Sequence, residues 1–473
     1  MMKKIFCFPN LWAQQYKYTK PFLLLTILFN GCFTAPKQQS NVPRQDEIVF
    51  RSVHVIPMDS ERILENQAVV VKDGKITAVG DVQKVKYSST ALVIDAKGKY
   101  LIPGLAEMHA HVPPVDDLEP MKEVMMLLAL NGVTTIRGML GHPRHIELRA
   151  KINSGEILGP RFYTSGPSFS GNSVKTPEAA VVMVKKQKQD GYDFLKLHPG
   201  ITLENFNALV ATAKQVNIPF AGHVPFRVGV WRAIDAGYAT IDHLDGFVES
   251  LVPGIENIPE QETGLFGMFI ADKADESRIP KLMAALHNGN IAQVPTQALA
   301  ERWFTPEKTA DELRQEPEMI YMAANTLKNW TDAKTALMKN PKYNAASLNR
   351  FIALRRKFIN ECQKNGVLLL LGSDAPQVFN VPGFAVHHEL KYMVDAGLTP
   401  YEALRTGTVN VAKFYNRQDM GVIKPGAVSD LVLLNGNPLN DISQTKNIEG
   451  VMLGNRWLSK DYIQKELKKL EKK

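Results

Sequence analysis

The segment LIPGLAEMHAH, residues 101–111, does most to decide the fold class of this chain. An apolar run ends there in His109-Ala110-His111. Successive residues of a β-strand point to opposite faces, so these two imidazoles would project to the same side. Imidazoles on one face are ligands that zinc and similar borderline metals prefer. Two histidines at this spacing are common by themselves, so the motif needs support from the rest of the chain.

Four further apolar runs end in side chains that suit a metal site. They are YDFLKLH with Lys196, IPFAGHV with His223, ATIDHLDG with His243 and VLLLLGSDAP with Asp374. Five strand ends that carry such residues in this order are hard to obtain by chance. The pattern predicts a hydrolase that uses bound metal to activate water.

Strand-like runs alternate with longer helical patterns in the middle of the chain, which is typical of βα units around a parallel sheet. Eight units predict an α/β fold, a closed (β/α)₈ TIM barrel, whose active sites lie at the C-terminal ends of the strands. The predicted strands lie at about 104–111, 132–138, 160–166, 192–198, 218–224, 238–244, 291–296 and 367–374.

Several motifs resemble those of the amidohydrolase superfamily, and the likeness covers nearly the whole mature chain. Within the superfamily they are most similar to the branch that holds imidazolonepropionase-like proteins and Xaa-Pro dipeptidases. The motifs are VVVKDGKITAVG, VIDAKGKYLIPGLAEMHAH, NGVTTIRGM, GPRFYTSG, GSDAP and GVIKPGAVSDLVLLNGNPL.

The resemblance also implies a division into domains. Residues 47–103 and 417–459 would form one composite β-sandwich beside the metal-dependent barrel of residues 104–416. On periodicity alone, both ends of the chain are only β-rich. Residues 460–473 are predicted to form a basic helical tail.

The resemblance further implies a site with two divalent metal ions. His109, His111 and Asp374 would hold the more buried ion, and His223 and His243 the more exposed one. Zinc is favoured by the histidine-rich ligand set, although manganese or iron would fit the same ligands.

Lys196 is the most informative member of this set, because a protonated amine has no lone pair for a metal. In the resembled enzymes the lysine at this position carries a carbamate that bridges two metals. The alternative is a lysine that pairs with a carboxylate beside a single metal. His198 would lie on the same strand face as Lys196, where a supporting role behind the ligands is predicted.

By the same resemblance, a hydroxide shared by the two metals attacks the scissile carbonyl. Asp374 takes its proton and passes it to the leaving amine. Asp242 stands where a glutamate is frequent in the family, and we interpret Asp242 and Asp245 as tuning or neutral. Arg137 and Arg227 are weaker candidates for binding a substrate carboxylate. A structural salt bridge is an equal alternative for Arg137.

The predicted activity is hydrolysis of an amide or peptide C–N bond, with a small Xaa-Pro-like dipeptide as the best substrate hypothesis. An alternative is hydrolysis of a cyclic amide or imidazolone-type ring. An alternative from another class is a surface-anchored binding protein on a decayed hydrolase scaffold, because fold alone does not decide function. The intact ligand set argues against that last alternative. A homo-oligomer is left open.

The charge distribution along the chain argues against nucleic acid as a partner. Apolar residues make up 45% of the chain and charged residues 22%, as in an ordinary globular protein. The formal charge of +8 lies mostly in residues 1–31 and in the tail from residue 460, so the body is close to neutral. This distribution offers no electrostatic reason to expect binding to nucleic acid.

The N-terminal sequence predicts export. A basic leader precedes the apolar run Phe22–Phe29, which is shorter than the ~20 residues of a spanning helix. Gly31-Cys32 resembles a lipoprotein processing site, so residues 1–31 would be the signal and Cys32 the lipidated residue. Residues 32–46 would be a tether, and the protein would be periplasmic or on the cell surface, in contact with the membrane only through this anchor. A simple cleaved signal or an uncleaved anchor is the alternative.

Overall fold

The computed structural model describes residues 42–472. The predicted signal segment, Cys32 and most of the tether lie outside these residues, so those assignments stay predictions. Within residues 42–472, no helix combines the length and the apolar character that crossing a bilayer requires.

The strands fall into an N-terminal group, a central parallel group and a C-terminal group. Within the described residues they are β1 Glu47–Val55, β2 Leu64–Lys72, β3 Lys75–Asp81, β4 Leu92–Asp95, β5 Tyr100–Pro103, β6 Leu105–Ala110, β7 Val133–Gly138, β8 Arg161–Thr164, β9 Leu195–Leu197, β10 Phe220–Gly222, β11 Thr240–Asp242, β12 Ala292–Val294, β13 Leu431–Leu434, β14 Ile448–Leu453 and β15 Arg456–Ser459.

Helices follow most of the central strands. Over the same residues they are α1 Glu119–Leu130, α2 Arg144–Ser154, α3 Pro177–Gln189, α4 Leu203–Gln215, α5 Gly229–Ala236, α6 Phe247–Leu251, α7 Glu260–Thr263, α8 Ile279–Asn288, α9 Gln297–Phe304, α10 Ala310–Arg314, α11 Ala324–Met338, α12 Ala345–Lys364, α13 Phe384–Asp395, α14 Pro400–Thr406, α15 Val409–Phe414 and α16 Lys460–Leu470.

Local sequence signals account for where several of these helices begin. The Thr176 hydroxyl caps α3 by accepting from the backbone N–H of Ala179, and Pro177 follows at the first helical position. Thr399 and Glu402 form a reciprocal capping box at the start of α14. These caps satisfy N–H groups that have no partner within the helix.

The central strands form two parallel sheets, with the orders β6-β7-β8 and β12-β11-β10-β9. Every residue of β6 and β7 is buried, as expected for parallel strands that are covered on both faces. Backbone bridges join Ser165 to Phe194 and Gln293 to Leu369. Met108 N also donates to Leu371 O at 2.7 Å. These bonds bring the segments that carry the predicted ligands next to one another.

Seven of the eight predicted strands are present as regular strands. The eighth, predicted at 367–374, has only an isolated bridge at Leu369. The ladder with β6 is interrupted because Leu371 N donates to Thr406 O at 2.9 Å rather than to β6. Asp374 N donates to His109 O at 3.0 Å, which directs this segment toward the HxH motif.

Both ends of the chain contribute to a single eight-stranded sheet. The junction is the antiparallel pairing of β13 with β5, in which Leu431 faces Pro103. The Phe50 and Trp457 rings pack edge to face at 5.2 Å in its core. Residues remote in sequence therefore share one sheet, while the predicted β-sandwich and its boundaries stay predictions. Helix α16 buries Ile463 beside this sheet and α1.

Candidate metal centre

Three predicted ligands converge at the ends of β6 and of the 367–371 segment. His109, His111 and Asp374 are all buried. Asp374 Oδ1 lies 3.1 Å from His111 Nε2 and 3.4 Å from His109 Nε2. The ligand atoms of this group lie within 4.8 Å of one another. The structure therefore brings together two imidazoles and a carboxylate in a geometry suited to a single divalent ion.

The other predicted ligands border the same site. Lys196 is fully buried on β9, and its Nζ lies 3.4 Å from His109 Nε2. The ring of His243 is 4.5 Å from the ring of His109 and 4.5 Å from that of His223. His243 Nδ1 lies 3.8 Å from Asp374 Oδ2. All six predicted ligands thus belong to one cluster of side chains.

Backbone hydrogen bonds between neighbouring strand ends set these positions. His223 N donates to Leu197 O at 3.0 Å, and His243 N donates to Val294 O at 2.8 Å. Glu107, missed in the sequence analysis, is buried and accepts at Oε1 from His109 N at 3.0 Å and from Ser373 N at 2.8 Å. Glu107 therefore joins the HxH strand to the segment that carries Asp374. Burial raises the pKa of Glu107 to about 7.

The donor atoms fit a bound cation. His111 Nε2 and Asp374 Oδ1 are buried, and within residues 42–472 neither atom makes a hydrogen bond of acceptable geometry, although the two lie 3.1 Å apart. Buried polar atoms without a partner cost free energy, and a metal ion would supply the missing interaction. Neutral imidazole and ionised carboxylate are the ligand forms that divalent metals require.

Electrostatics keeps the histidines in that ligating form. Burial lowers the pKa of His109, His223 and His243 well below its usual range. Burial also lowers the pKa of His111 to about 3. These imidazoles are therefore neutral near pH 7 and can donate a lone pair.

The pKa values of Lys196 and Asp374 are both shifted so that the neutral form of each side chain becomes more favourable. Burial lowers the pKa of the Lys196 amine to about 8, although the Asp242 and Asp374 carboxylates oppose this. Burial raises the pKa of Asp374 well above its usual range, against the opposing effect of the Lys196 charge. Burial therefore disfavours the charged form of both groups before any ion is bound.

Asp242 is more closely involved than our interpretation as tuning or neutral implied. Its Oδ2 lies 3.0 Å from His109 Nδ1, and its Oδ1 accepts from Thr240 Oγ1 at 2.7 Å. The contact is electrostatic, because the geometry of His109 Nδ1 and Asp242 Oδ2 is not that of a hydrogen bond. A carboxylate beside Nδ1 of an imidazole helps to orient the ring and leaves Nε2 free for a metal. Asp245 is placed similarly, because its Oδ2 lies 3.0 Å from His223 Nδ1.

Arg137 is buried beneath the site in the salt bridge that the sequence analysis left open. Its Nη2 lies 3.2 Å from Asp242 Oδ1, and its Nε donates to Met108 O at 2.8 Å. The Phe194 and Phe414 rings lie 5.4 and 5.6 Å from its guanidinium carbon. Its guanidinium is engaged by protein groups, and a contact with substrate stays a prediction.

The two remaining candidates lie near His223. His198 is partly buried, and its ring is 5.1 Å from that of His223. Arg227 is exposed in the turn before α5. Their predicted roles, support of the ligands and binding of substrate, stay predictions.

We expect Asp242→Asn to lower the affinity of the site for zinc by about 10- to 100-fold, because the amide cannot replace the carboxylate on His109. Competition with a chelating dye measures this affinity. Asp235→Asn, an exposed change of the same chemistry, is the control and should leave the affinity unchanged. Equal affinities for Asp242→Asn and the wild type would show that Asp242 does not orient His109.

Comparisons with known proteins identify the family of this chain. Residues 100–458 match the Amidohydrolase family. Ochratoxinase from Aspergillus niger is 25% identical over 424 residues, 82% of this chain and 81% of that enzyme. Imidazolonepropionase from Geobacillus sp. is 27% identical over 404 residues, 80% of this chain and 85% of that enzyme. The structure of a Xaa-Pro dipeptidase with bound methionine in the active site matches with a TM-score of 0.63 at 20% identity, covering 87% of this chain and 100% of that one.

This chain belongs to the Amidohydrolase family. The resemblance inferred from its motifs is confirmed, and the chain is a hydrolase that acts on carbon–nitrogen bonds of amides. The binding-protein alternative is thereby set aside. The family is generally metal-dependent, which agrees with the cluster of His109, His111 and Asp374. The fold of these structural neighbours implies a (β/α)₈ barrel.

Proposed function

We propose that this protein is a two-metal amidohydrolase that cleaves the peptide bond of small dipeptides, including those that end in proline. The observation that carries the proposal is the buried cluster around Asp374, in which Lys196 Nζ lies 3.4 Å from His109 Nε2. A carbamate on this buried lysine would supply the further ligand that a second ion needs. The similarity to a Xaa-Pro dipeptidase supports the choice of substrate.

His109, His111 and Asp374 would hold one ion, and His223 and His243 the other. We propose zinc for both, because imidazoles dominate the ligand set. Bound divalent metal lowers the pKa of water from 15.7 to about 7 and polarises a carbonyl. The chain holds the imidazoles neutral, orients them through Asp242 and Asp245, and keeps the site largely buried.

Lys196 would act as the bridge between the two ions in the form of a carbamate. Its amine attacks carbon dioxide, a new N–C bond forms, and one proton leaves to solvent. Burial favours the neutral amine that this reaction needs, since the pKa of Lys196 is lowered to about 8. Asp242 Oδ2, 3.9 Å from Nζ, is the partner if the lysine instead stays a cation.

Asp374 would move the proton of the reaction. Its two oxygens face different groups, Oδ1 toward His111 and Oδ2 toward His243. A carboxylate at this position can take a proton on one side and deliver it to the leaving amine. Arg227, close in sequence to His223, would contact the substrate, and His198, whose ring is 5.1 Å from that of His223, would support the ligands.

We also propose a domain arrangement, a location and a class of partners for the whole chain. Residues 104–416 would close into one barrel, which the bridges at Phe194 and Leu369 support. Residues 47–103 and 417–459 would form the sandwich. We further propose export, lipidation at Cys32 and a periplasmic or cell-surface location. The partners would be small molecules or dipeptides, not nucleic acid, and a homo-oligomer stays open.

The test is the metal content per chain of protein purified with bicarbonate, compared with that of Lys196→Ala. We expect about two ions in the wild type and one or fewer in Lys196→Ala, with loss of dipeptide hydrolysis. Lys188→Ala, an exposed lysine on α3, is the control and should keep both ions.

A single ion that survives Lys196→Ala would exclude the bridge. Hydrolysis of a cyclic amide would then be the better hypothesis, and the similarity to imidazolonepropionase favours it as the second candidate. A panel of dipeptides and cyclic amides assayed on the same preparations separates the two activities.

A further inference from the structure

An aromatic ring lies directly on the side of the site formed by His223 and His243. The Phe266 ring is 5.3 Å from the His243 ring and 6.2 Å from the His223 ring. It is nearly parallel to the His223 ring, with an angle of 6° between the planes. Phe266 is only partly buried, so part of its surface is open. An aromatic surface is therefore present on this side of the site.

The backbone holds Phe266 in a strained conformation. Its φ is +55° and its ψ 26°, in the left-handed region, which costs a residue with a side chain roughly 1–2 kcal/mol. Residues in this conformation persist where contacts with the surrounding structure hold them in place, and they are often found at ligand sites. The next residue, Gly267, also has positive φ, and a Cβ there would lie 2.8 Å from Val248 Cβ. The backbone at Phe266 and Gly267 therefore packs closely against α6.

Further contacts support the ring. The buried guanidinium of Arg355 lies 5.9 Å from the centre of the Phe266 ring, and the Phe304 ring lies 6.2 Å away. Within the segment, Phe269 N donates to Thr263 O at 2.9 Å. A ring supported in this way offers a fixed surface, so a ligand that packs against it loses little additional freedom.

This surface discriminates between substrate side chains. An apolar side chain that packs on the ring gains roughly 25 cal/mol for each Å² removed from water. A polar side chain of the same shape would lose its water without gaining a partner from the ring. A ring at this position would therefore favour an apolar group beside His223 and His243.

We propose that Phe266 is a specificity-determining residue, the wall on which an apolar side chain of the substrate packs beside His223 and His243. The inference rests on the proposed function for the identity of the substrate as a dipeptide. It deepens that function by selecting dipeptides with an apolar residue over those with a polar one.

The test compares kcat and KM of the metal-loaded enzyme for Leu-Pro and Asn-Pro, whose first side chains have similar shapes. We expect the wild type to prefer Leu-Pro by about tenfold or more, and Phe266→Ala to lose most of that preference through KM. Phe266→Leu should restore it. Phe269→Ala, in the same segment and packed against Gly264, is the control and should keep the preference.

Equal losses for both dipeptides in Phe266→Ala, or a ratio within twofold of the wild type, would overturn the inference. A wild type that cleaves dipeptides without preference would overturn it as well, while leaving the proposed function intact. Thermal unfolding and metal content of each variant separate a folding defect from a change in specificity.

A binding measurement separates the two proposals. Calorimetry of the reduced-amide analogues of Leu-Pro and Asn-Pro requires no turnover. If the wild type cleaves neither dipeptide but binds the Leu-Pro analogue more tightly, and Phe266→Ala abolishes the difference, the proposed function fails and the inference stands. If the wild type binds both analogues equally, or neither, the inference is overturned.

Discussion

Asp374→Asn should lower kcat by about 10²- to 10⁴-fold while the protein stays folded, because it removes the group that we propose carries the proton. The change keeps the shape of the side chain, but an amide cannot carry the proton and is a weaker ligand beside His109 and His111. Asp374 Oδ1 is 3.1 Å from His111 Nε2, so metal affinity should fall as well. The measurement is kcat per metal-loaded chain, with metal content determined on the same sample.

The matched control is Asp116→Asn, which makes the same substitution at a side chain that is 96% exposed. We expect it to leave kcat within twofold of the wild type. An Asp374→Asn variant that binds its full complement of metal and retains kcat within tenfold would contradict the assigned role. The acid-base function would then have to lie with another group of the site.

Arg355→Met should lower the free energy of unfolding by about 3–5 kcal/mol, the second large effect that the structure predicts. Arg355 is 1% exposed on α12, and it donates to His243 O and Pro295 O at 2.6 Å each. Its Nε donates to Gln297 Oε1 at 3.0 Å. Methionine keeps much of the volume but leaves these buried acceptors without a donor. Denaturant unfolding measures the loss.

Arg350→Met on the same helix is the control. The Arg350 side chain is 42% exposed and pairs with Glu276, which keeps a second partner in Lys357. Exposed ion pairs are worth at most about 1 kcal/mol, so this change should have a small effect. If the free energy of unfolding falls equally in the two variants, the buried hydrogen bonds of Arg355 do not contribute the stability assigned to them. Because Arg355 holds the backbone of His243, its variant should also bind metal more weakly.

The central strands and the ligand candidates could be predicted from the sequence because their signals are local. A buried parallel strand is a short apolar run, and a ligand at its end is a His, Lys or Asp next to that run. The segments that end in His109, Lys196, His223 and His243 all became strand ends of the parallel sheets. The 367–374 segment kept its place beside β6 but did not become a regular strand, because Leu371 N bonds to Thr406 O, which is distant in sequence.

Partners from other parts of the chain could not be predicted in this way. Asp242 stands next to His243 in sequence but contacts His109 on another strand, and Arg137 contacts Asp242 rather than solvent. A single sequence gives the chemistry of each side chain but not the neighbour it meets across a sheet. Phe266 shows the same limit, because its position over the histidines depends on how its segment packs on α6.

The sequence by itself determined the family, the parallel strands and the candidate ligand types, because apolar periodicity and side-chain chemistry are properties of short segments. Only the tertiary structure decided which carboxylate orients which imidazole, that Arg137 is buried, and that an aromatic ring forms one side of the site. These features depend on distances between strands and loops far apart in the chain, and only the folded backbone sets those distances.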